Sequence, residues 1–550
     1  MRVRRVKILS VDALPYFLLE RYLKEWDLKN FQRLKQESAF AQGMIAQGPD
    51  ATTPSAHAQL FCGCPSITNG IYSFEEPAID KGVIHPWRKR FGFSAERLNA
   101  EPIWVSFLRA GKRVVMFHFP LSVPIEPYTQ SKKFGENFQD RLIVLEGFSQ
   151  RLGFETVKDN QESSASFQHS ISEQIKIELP VKAPESMDQV FIKDKNAGLI
   201  RMRFASENNL EPELYFISSV HQILSNHQEV AREYLEKVGA FNSSGAVYSY
   251  YQGKLGKQIY KGGTGLAEKR LCVSLELMAE HFYNAIKFSI EQLESEVGFY
   301  YFHGVDLVLH LWMGYLDSAG SGGSPEIREV LLPVVRRMFE WADKIVGLLL
   351  SASDDEDLVV VVSDHGMAPI ETLFYPNQVL ESKGYLVWNQ QKGEPDFEQS
   401  QVVYHPSNSG YVVINTKERG GIVPEKSAQE LSQEIAQVFA EYLGSALDKI
   451  ELVWKNPEIP PLGEIYLIPK YKIGLSPKLE GKILEKGAYG GQHHYWSESE
   501  PMSAILFFKG KMVPKGKNLG IRNHLELAKT IAMLAGIEPP AKAIAGPIKF

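Results

Sequence analysis

Leu358-Val359-Val360-Val361-Val362-Ser363-Asp364-His365-Gly366-Met367 is the stretch that decides the fold. Its first five residues are all apolar and mostly β-branched, too few for a helix and continuous enough for a strand buried on both faces. An acid and a histidine follow almost at once. Just upstream, Val330 to Leu350 carries apolar pairs at helical spacing and runs into the strand. Three further runs read as buried strands, Val6 to Val11, Val114 to Phe119 and Asp306 to Leu311, and a fifth, Ala504 to Phe508, lies near the C-terminus. Strands alternating with helices predict an α/β fold, layered around a largely parallel central sheet.

In open sheets of this kind ligands bind at the carboxyl ends of the strands. The first run ends at Asp12, the Asp306 run leads through Leu316 to Asp317, and the Leu358 run ends in Asp364-His365. Three aspartates and a histidine on separate strands form a donor set for a hard or zinc-like divalent cation. His493, in Gly490-Gly491-Gln492-His493-His494, is a further candidate before the last run. A lone aspartate after a strand is ordinarily a turn or helix cap, so the coincidence of several carries the reading.

A second signal is Ala51-Thr52-Thr53-Pro54-Ser55-Ala56-His57-Ala58. Thr53 before Pro54 reads as an N-cap with proline in the first helical position. By itself this is a well-capped helix. A hydroxyl there also sits among free backbone donors and the positive end of the helix dipole, which favour a phosphate. An alkoxide forms near neutral pH only with help, and a neighbouring metal ion supplies it.

Taken together, Asp12, the Thr53 to His57 segment, Cys62-Gly63 through Asn69-Gly70-Ile71, Asp317-Ser318-Ala319-Gly320, Ser363 to Met367 and Gly491-Gln492-His493 resemble the type I phosphodiesterase/nucleotide pyrophosphatase family of the alkaline-phosphatase superfamily. Pro102 to Val105 and Gly111 to Val114 are similar to that family's next strand region. The resemblance implies a three-layer alkaline-phosphatase-like fold and a metal-dependent phosphoester hydrolase acting through a covalent phospho-threonine on Thr53. It implies two metal ions, usually zinc. Asp12, Asp364, His365 and the Thr53 oxygen would hold one, and Asp317 and His493 the other, which the family completes with a histidine four positions after the aspartate. Here that position is Ser321, with Pro325 still in place. His310, read as lying inside a strand roughly 20 Å back from Asp317, is a poor substitute. The family's phosphate-binding asparagine, counted from Thr53, falls on Phe74, which leaves Asn69 as the substrate-binding candidate.

Three alternatives are weighed. A sulfatase needs Cys or Ser at position 53 and Arg at 57, where this chain has Thr53 and His57. Phosphonate hydrolysis uses a similar site. A phosphate- or metal-binding pseudoenzyme would have lost the second ion together with its histidine.

The rest of the composition bounds the answer. At 550 residues, with 44% hydrophobic and 23% charged residues and a net charge of −6, the chain is an ordinary globular one. No basic excess points to a nucleic-acid polymer. Cys62, Cys64 and Cys272 are too few for a disulfide framework and read as small buried hydrophobes. No stretch approaches the roughly 18 apolar residues of a membrane span. Arg2, Arg4 and Arg5 are followed by Lys7 and Asp12 before an apolar run forms, so the expectation is a cytoplasmic protein, exported if a leader was removed before this numbering. The partner expected is a small-molecule phosphoester, and no sequence feature sets an oligomeric state. The catalytic core is expected in three parts, 1–125, 275–380 and 485–550. A β-rich insertion over 126–274, with a Gly-, Ser- and Tyr-dense tract from Gly239 to Gly265, and an α+β insertion over 381–484, with a helix near Ala428 to Leu443, separate them. Tyr248, Tyr250 and Tyr251 read as filling a β-rich core.

Overall fold

In a computed structural model, a nine-stranded sheet organises the chain. The structure describes residues 3–48, 51–130, 133–149, 156–159, 164–168, 174–178, 187–192, 196–204, 206, 214–316, 324–443, 447–479, 482–487, 489–495 and 500–550. The sheet strands are β1 (Val6–Val11), β2 (Ala39–Ile45), β3 (Val114–Phe117), β4 (Leu142–Glu146), β5 (Leu224–Ser225), β6 (Val297–Phe302), β7 (Leu358–Val362), β8 (Ala504–Lys509) and β9 (Ile521–Asn523). Their order is β5-β4-β3-β6-β1-β7-β8-β2-β9. The five central strands from β4 to β7 run parallel, and β8 is antiparallel to both β7 and β2. The register pairs Val11 with Phe302 and Ser10 with Val362, so β1, β6 and β7 end at one level.

Alternation sorts β7 between two cores. Val359 and Val361 face one, with helices α2 (Leu266–Gln292), α3 (Gly304–Leu316) and α4 (Pro325–Ser351). Val360 and Val362 face the other, with α1 (Thr53–Cys62) and α5 (Glu526–Ala535). Burying one valine side chain contributes about 1.5–3 kcal/mol, so the apolar run is both sheet and core.

Four of the five predicted strand runs are strands. Asp306 to Leu311 is not: it lies inside α3, and the strand of this region is β6, just upstream. The two are easily confused because α3 is apolar almost all round, which erases helical periodicity. The Gly239 to Gly265 tract also departs from β-rich expectation, since Gly245–Tyr251 is helical. Tyr250 is buried there, while Tyr248 and Tyr251 are exposed. Ala428–Leu443 is a helix as expected, beside a sheet containing Ile465–Pro469. Cys62 and Cys64 are buried and Cys272 half-buried, all unpaired by disulfides. Among the described residues no helix is long and apolar enough to cross a membrane.

Candidate metal and phosphate site

The carboxyl ends of β1, β6 and β7 hold the chemistry. Asp12 follows β1, and its backbone N–H donates to Phe302 O at 2.9 Å, which fixes it against β6. Asp364 and His365 follow β7. Asp364 Oδ1 accepts from Ala13 N at 3.3 Å, and Ser363 Oγ accepts from Leu14 N at 2.9 Å, so the two strand ends are stitched together.

Thr53 stands over them. The helix cap is Thr52, one residue earlier than the sequence suggests: its N–H donates to Ser55 Oγ at 3.2 Å, and the two hydroxyls are 3.0 Å apart. A cap of this kind contributes about 1 kcal/mol. Because Thr52 does the capping, the Thr53 hydroxyl is not taken up by the helix cap. Thr53 Oγ1 lies 3.5 Å from Asp12 Oδ2 and 3.4 Å from His365 Nε2. Gly63, at φ 68°, closes the other end of α1 in the left-handed conformation, its N–H donating to Gln59 O.

A second group of donors comes from α3 and the segment before β8. Asp306 and His310 are four residues apart on α3, on one helical face, with His310 Nε2 3.2 Å from Asp306 Oδ1. The His310 and His493 rings are 5.1 Å apart, and His493 stacks on His365 at 3.9 Å. Asp306, His310 and His493 form one cluster whose ligand atoms all lie within 4.8 Å of one another, and Asp12, Asp306 and His365 form another. Asp306 belongs to both and sits between them.

The glycines of this region are there for close approach. A Cβ on Gly491 would stand 2.4 Å from Leu309 O, and one on Gly314 would stand 2.5 Å from Tyr489 O. Asp306, His310 and Gly314 therefore form a D-x3-H-x3-G series, a periodic signal that the sequence carries and that a strand assignment obscures. His310, remote on the strand reading, is in the site. Asp317 and Ser321 lie outside the described residues.

Three histidines share one pattern. His365 Nδ1 donates to Gly366 O at 2.9 Å, His493 Nδ1 to Ala51 O at 3.0 Å and His310 Nδ1 to Gly491 O at 2.8 Å. Carbonyls only accept, so each Nδ1 carries the hydrogen and each Nε2 turns a lone pair into the site when the ring is neutral. Those lone pairs meet carboxylates: His365 Nε2 is 3.4 Å from Asp12 Oδ1 and 3.3 Å from Asp364 Oδ2. Lone pairs facing carboxylates are held together by a proton or by a cation between them. Arms of ~2.0 Å around a tetrahedral zinc give edges of about 3.3 Å, close to these spacings. Asp12 Oδ1 and Asp364 Oδ2 are buried and have no hydrogen-bond partner, as atoms awaiting a metal would be.

Burial and neighbouring charge pull these groups in different directions. Burial first, then the charges of Asp364 and Asp306, push the Asp12 carboxyl well above its ordinary range. Burial alone would raise Asp364 too, but His365 and His57 hold it below. His493 is driven well below its usual range by burial and by its histidine neighbours. His310 is raised, because Asp306 outweighs the effect of burial.

Two side chains support the site: Tyr301, which the sequence does not single out, and His57, which it offers only as a member of the Thr53 to His57 segment. Tyr301, on β6, donates its hydroxyl to Asp12 Oδ2. His57 is fully buried, with Nδ1 2.7 Å from Thr53 O and Nε2 2.9 Å from Ser10 Oγ, and it ties α1 to β1. Asn69 has the opposite fate. Its amide nitrogen donates to Cys64 O at 3.0 Å and its oxygen accepts from Ile71 N at 2.9 Å, so both ends serve its own turn rather than a phosphate. Phe74 is exposed.

The fold is alkaline-phosphatase-like, and the family profile makes the chain a hydrolase of phosphoric esters. The sequence profile described as "Type I phosphodiesterase / nucleotide pyrophosphatase" matches residues 6–496, and the chain belongs to that family. The wild-type alkaline phosphatase PafA is similar in structure at a TM-score of 0.52 and 13% identity, over 100% of this chain and 98% of that one. A mutant of the same enzyme gives 0.50 at 13% identity, with the same coverage. Murine ectonucleotide pyrophosphatase/phosphodiesterase 5, as an inactive variant in complex with AMP, gives 0.49 at 12% identity over 100% and 98% of the two chains. No curated protein matches.

Proposed function

We propose that this hydrolase cleaves phosphodiesters at a two-metal centre, with Thr53 as the nucleophile. Asp12, Asp364, His365 and Thr53 Oγ1 would hold one ion and Asp306, His310 and His493 the other, with Asp306 between them. Zinc is the ion that this histidine and carboxylate set favours. When bound, the ions lower the acidity barrier of the attacking hydroxyl and neutralise charge on the phosphoryl oxygens and the leaving oxygen.

The chain's own residues do the rest. The Thr53 hydroxyl faces Asp12 Oδ2, and its oxygen forms the new bond to phosphorus as the bond to the leaving oxygen breaks in line. His57 anchors the Thr53 carbonyl and holds the start of α1 in place. The Thr53 N–H at the start of α1, where Pro54 has no N–H and the next two are bonded to Thr52, is the backbone donor for a phosphoryl oxygen. Water then attacks the phospho-threonine and restores Thr53.

The observation that carries this reading is a threonine hydroxyl, relieved of capping, within 3.5 Å of both Asp12 and His365. His310 beside Asp306 supports this reading over the pseudoenzyme alternative, which rests on a missing histidine. The test is hydrolysis of bis(p-nitrophenyl) phosphate by zinc-loaded protein and by its Thr53→Ala variant. Turnover by the parent and none by the variant is expected. Equal turnover by both would sink the nucleophile assignment.

A further inference from the structure

At the carboxyl end of β3 the chain gathers a second group of imidazoles, none of them a candidate ligand. His118 follows β3 and is held at φ 50°, a left-handed conformation uncommon for a residue with a side chain. Tyr234, on the helix Gln228–Lys237, stands between His118 and His281 of α2. Its hydroxyl is 2.8 Å from His118 Nε2 and 2.7 Å from His281 Nε2. All three side chains are buried, and Phe241 stacks on His118 with ring centroids 4.5 Å apart. His221, in the short strand His221–Gln222 that pairs with Ala197–Phe204, donates Nδ1–H to Gly147 O at 2.8 Å and accepts from Ser243 Oγ at 3.1 Å.

One backbone bond fixes every hydrogen between these rings. Gly147 N–H donates to His118 Nδ1 at 3.2 Å, so the neutral His118 ring carries its hydrogen on Nε2 and gives it to Tyr234. The Tyr234 hydrogen is then left for His281 Nε2. A proton added to His118 Nδ1 meets the Gly147 N–H head on. One added to His281 Nε2 leaves the Tyr234 hydrogen without an acceptor, since His118 Nε2 already donates. Either way a buried donor loses its acceptor and a bond of the chain breaks. No carboxylate among the described residues compensates. His118 is faced by His281, His303 and His221, the Glu146 carboxylate is turned to Phe148 N and Ser149, and Asp306 acts on His303. Burial first, then those three rings, drive His118 well below its ordinary range, and burial pushes His281 down to about 3 against a backbone bond with Ala240.

We propose that His118, Tyr234 and His281 form an acid-sensitive latch, which holds the inserted segment carrying His221 and Tyr234 against the core and lets go when either histidine takes a proton from solvent. Closed, both rings are neutral; opened, they titrate near their unperturbed value of about 6.5. Closure is therefore full above that value and is lost as pH falls below it, by up to about tenfold per histidine for each pH unit. The strain at His118 is released in the same step. The latch also reaches the candidate site. Phe148, next to Gly147, packs edge-on against Tyr301 at 6.3 Å, and Tyr301 donates to Asp12.

The test is hydrogen exchange of the full chain, read by mass spectrometry between about pH 7 and pH 4.5 and corrected for the intrinsic rate, with α4 as internal reference. The opening constant of peptides from residues 228–251 should climb up to about 100-fold per pH unit below about pH 6, beyond any change in α4. His118→Gln and His281→Gln should each flatten that climb by about tenfold per unit, because glutamine keeps a polar group near the Nε2 position and takes no proton. Tyr234→Phe breaks the chain but keeps both rings, so it should raise opening at neutral pH and leave the climb in place. If one histidine variant does not fold, the other decides alone, since each removes one proton. A climb equally steep in wild type and in the histidine variants would overturn the latch, as would a climb shared in full by α4.

Discussion

The two ends of strand β7 face the same problem and meet it differently. At the start stands Asp357, whose side chain is fully buried. It is met by Arg5 Nη2 at 2.7 Å, Arg4 Nη2 at 3.2 Å and Lys7 Nζ at 3.2 Å. At the far end stand Asp364, Asp12 and Asp306, and among the described residues no lysine or arginine pairs with any of them. Histidines meet them instead, each with Nδ1 committed to a carbonyl. Burial alone would raise the Asp357 carboxyl, yet Arg5 and Lys7 hold it below its ordinary range, whereas Asp12 is well above. One end is neutralised by the chain; the other, on the function proposed above, takes cations from outside.

The sharpest way to break this comparison is at its catalytic end. Thr53→Ala should lower turnover more than about 10³-fold while leaving the fold intact, since the side chain is small and its hydroxyl does not cap α1. Next come Asp306→Asn and His310→Ala. Each should cut bound zinc from two ions toward one and reduce kcat/KM by about 10²-fold, read by elemental analysis beside kinetics. Asp317→Asn, by contrast, should leave the zinc count unchanged. Loss of an ion in that variant alone would restore Asp317 as the ligand and displace Asp306. Tyr301→Phe removes the hydroxyl that orients Asp12 and should weaken zinc binding about tenfold in a competition with a chelator.

How legible these candidate ligands are follows their supports. Asp12, Asp364 and His365 leave short, β-branched strands whose apolar runs end abruptly in polar chemistry, and each is visible in the sequence. Asp306 and His310 ride on α3, a helix buried on nearly every side, so its sequence lacks the polar face that marks a helix. Read as a strand, the four-residue spacing of Asp306 and His310 loses its meaning, while Asp317, the candidate the sequence offers, lies outside the described residues. Thr52 is passed over as cap for a different reason: two adjacent threonines compete for the role, and only the bond from Thr52 N to Ser55 Oγ decides it. Asn69 cannot be judged from sequence, because its partners, Cys64 O and Ile71 N, are set by the turn itself.

The smallest expected effect on activity lies at the other end of β7 and tests the comparison from its compensated side. Asp357→Asn leaves Arg5 and Lys7 beside a neutral amide and should cost about 2 kcal/mol of stability at neutral pH, with kcat/KM unchanged within about twofold. The sign of its pH dependence is fixed. A carboxylate whose folded pKa is depressed contributes stability that is present above its unfolded value, about 3.9, and lost as pH falls through the folded one. The lead of wild type over Asp357→Asn in urea unfolding should therefore hold at neutral pH and shrink as the solution is acidified below about pH 4. A lead that persists undiminished in acid would mean that Asp357 acts through packing or neutral hydrogen bonds, and the contrast between a self-neutralised end and an end proposed to take cations would lose one of its terms.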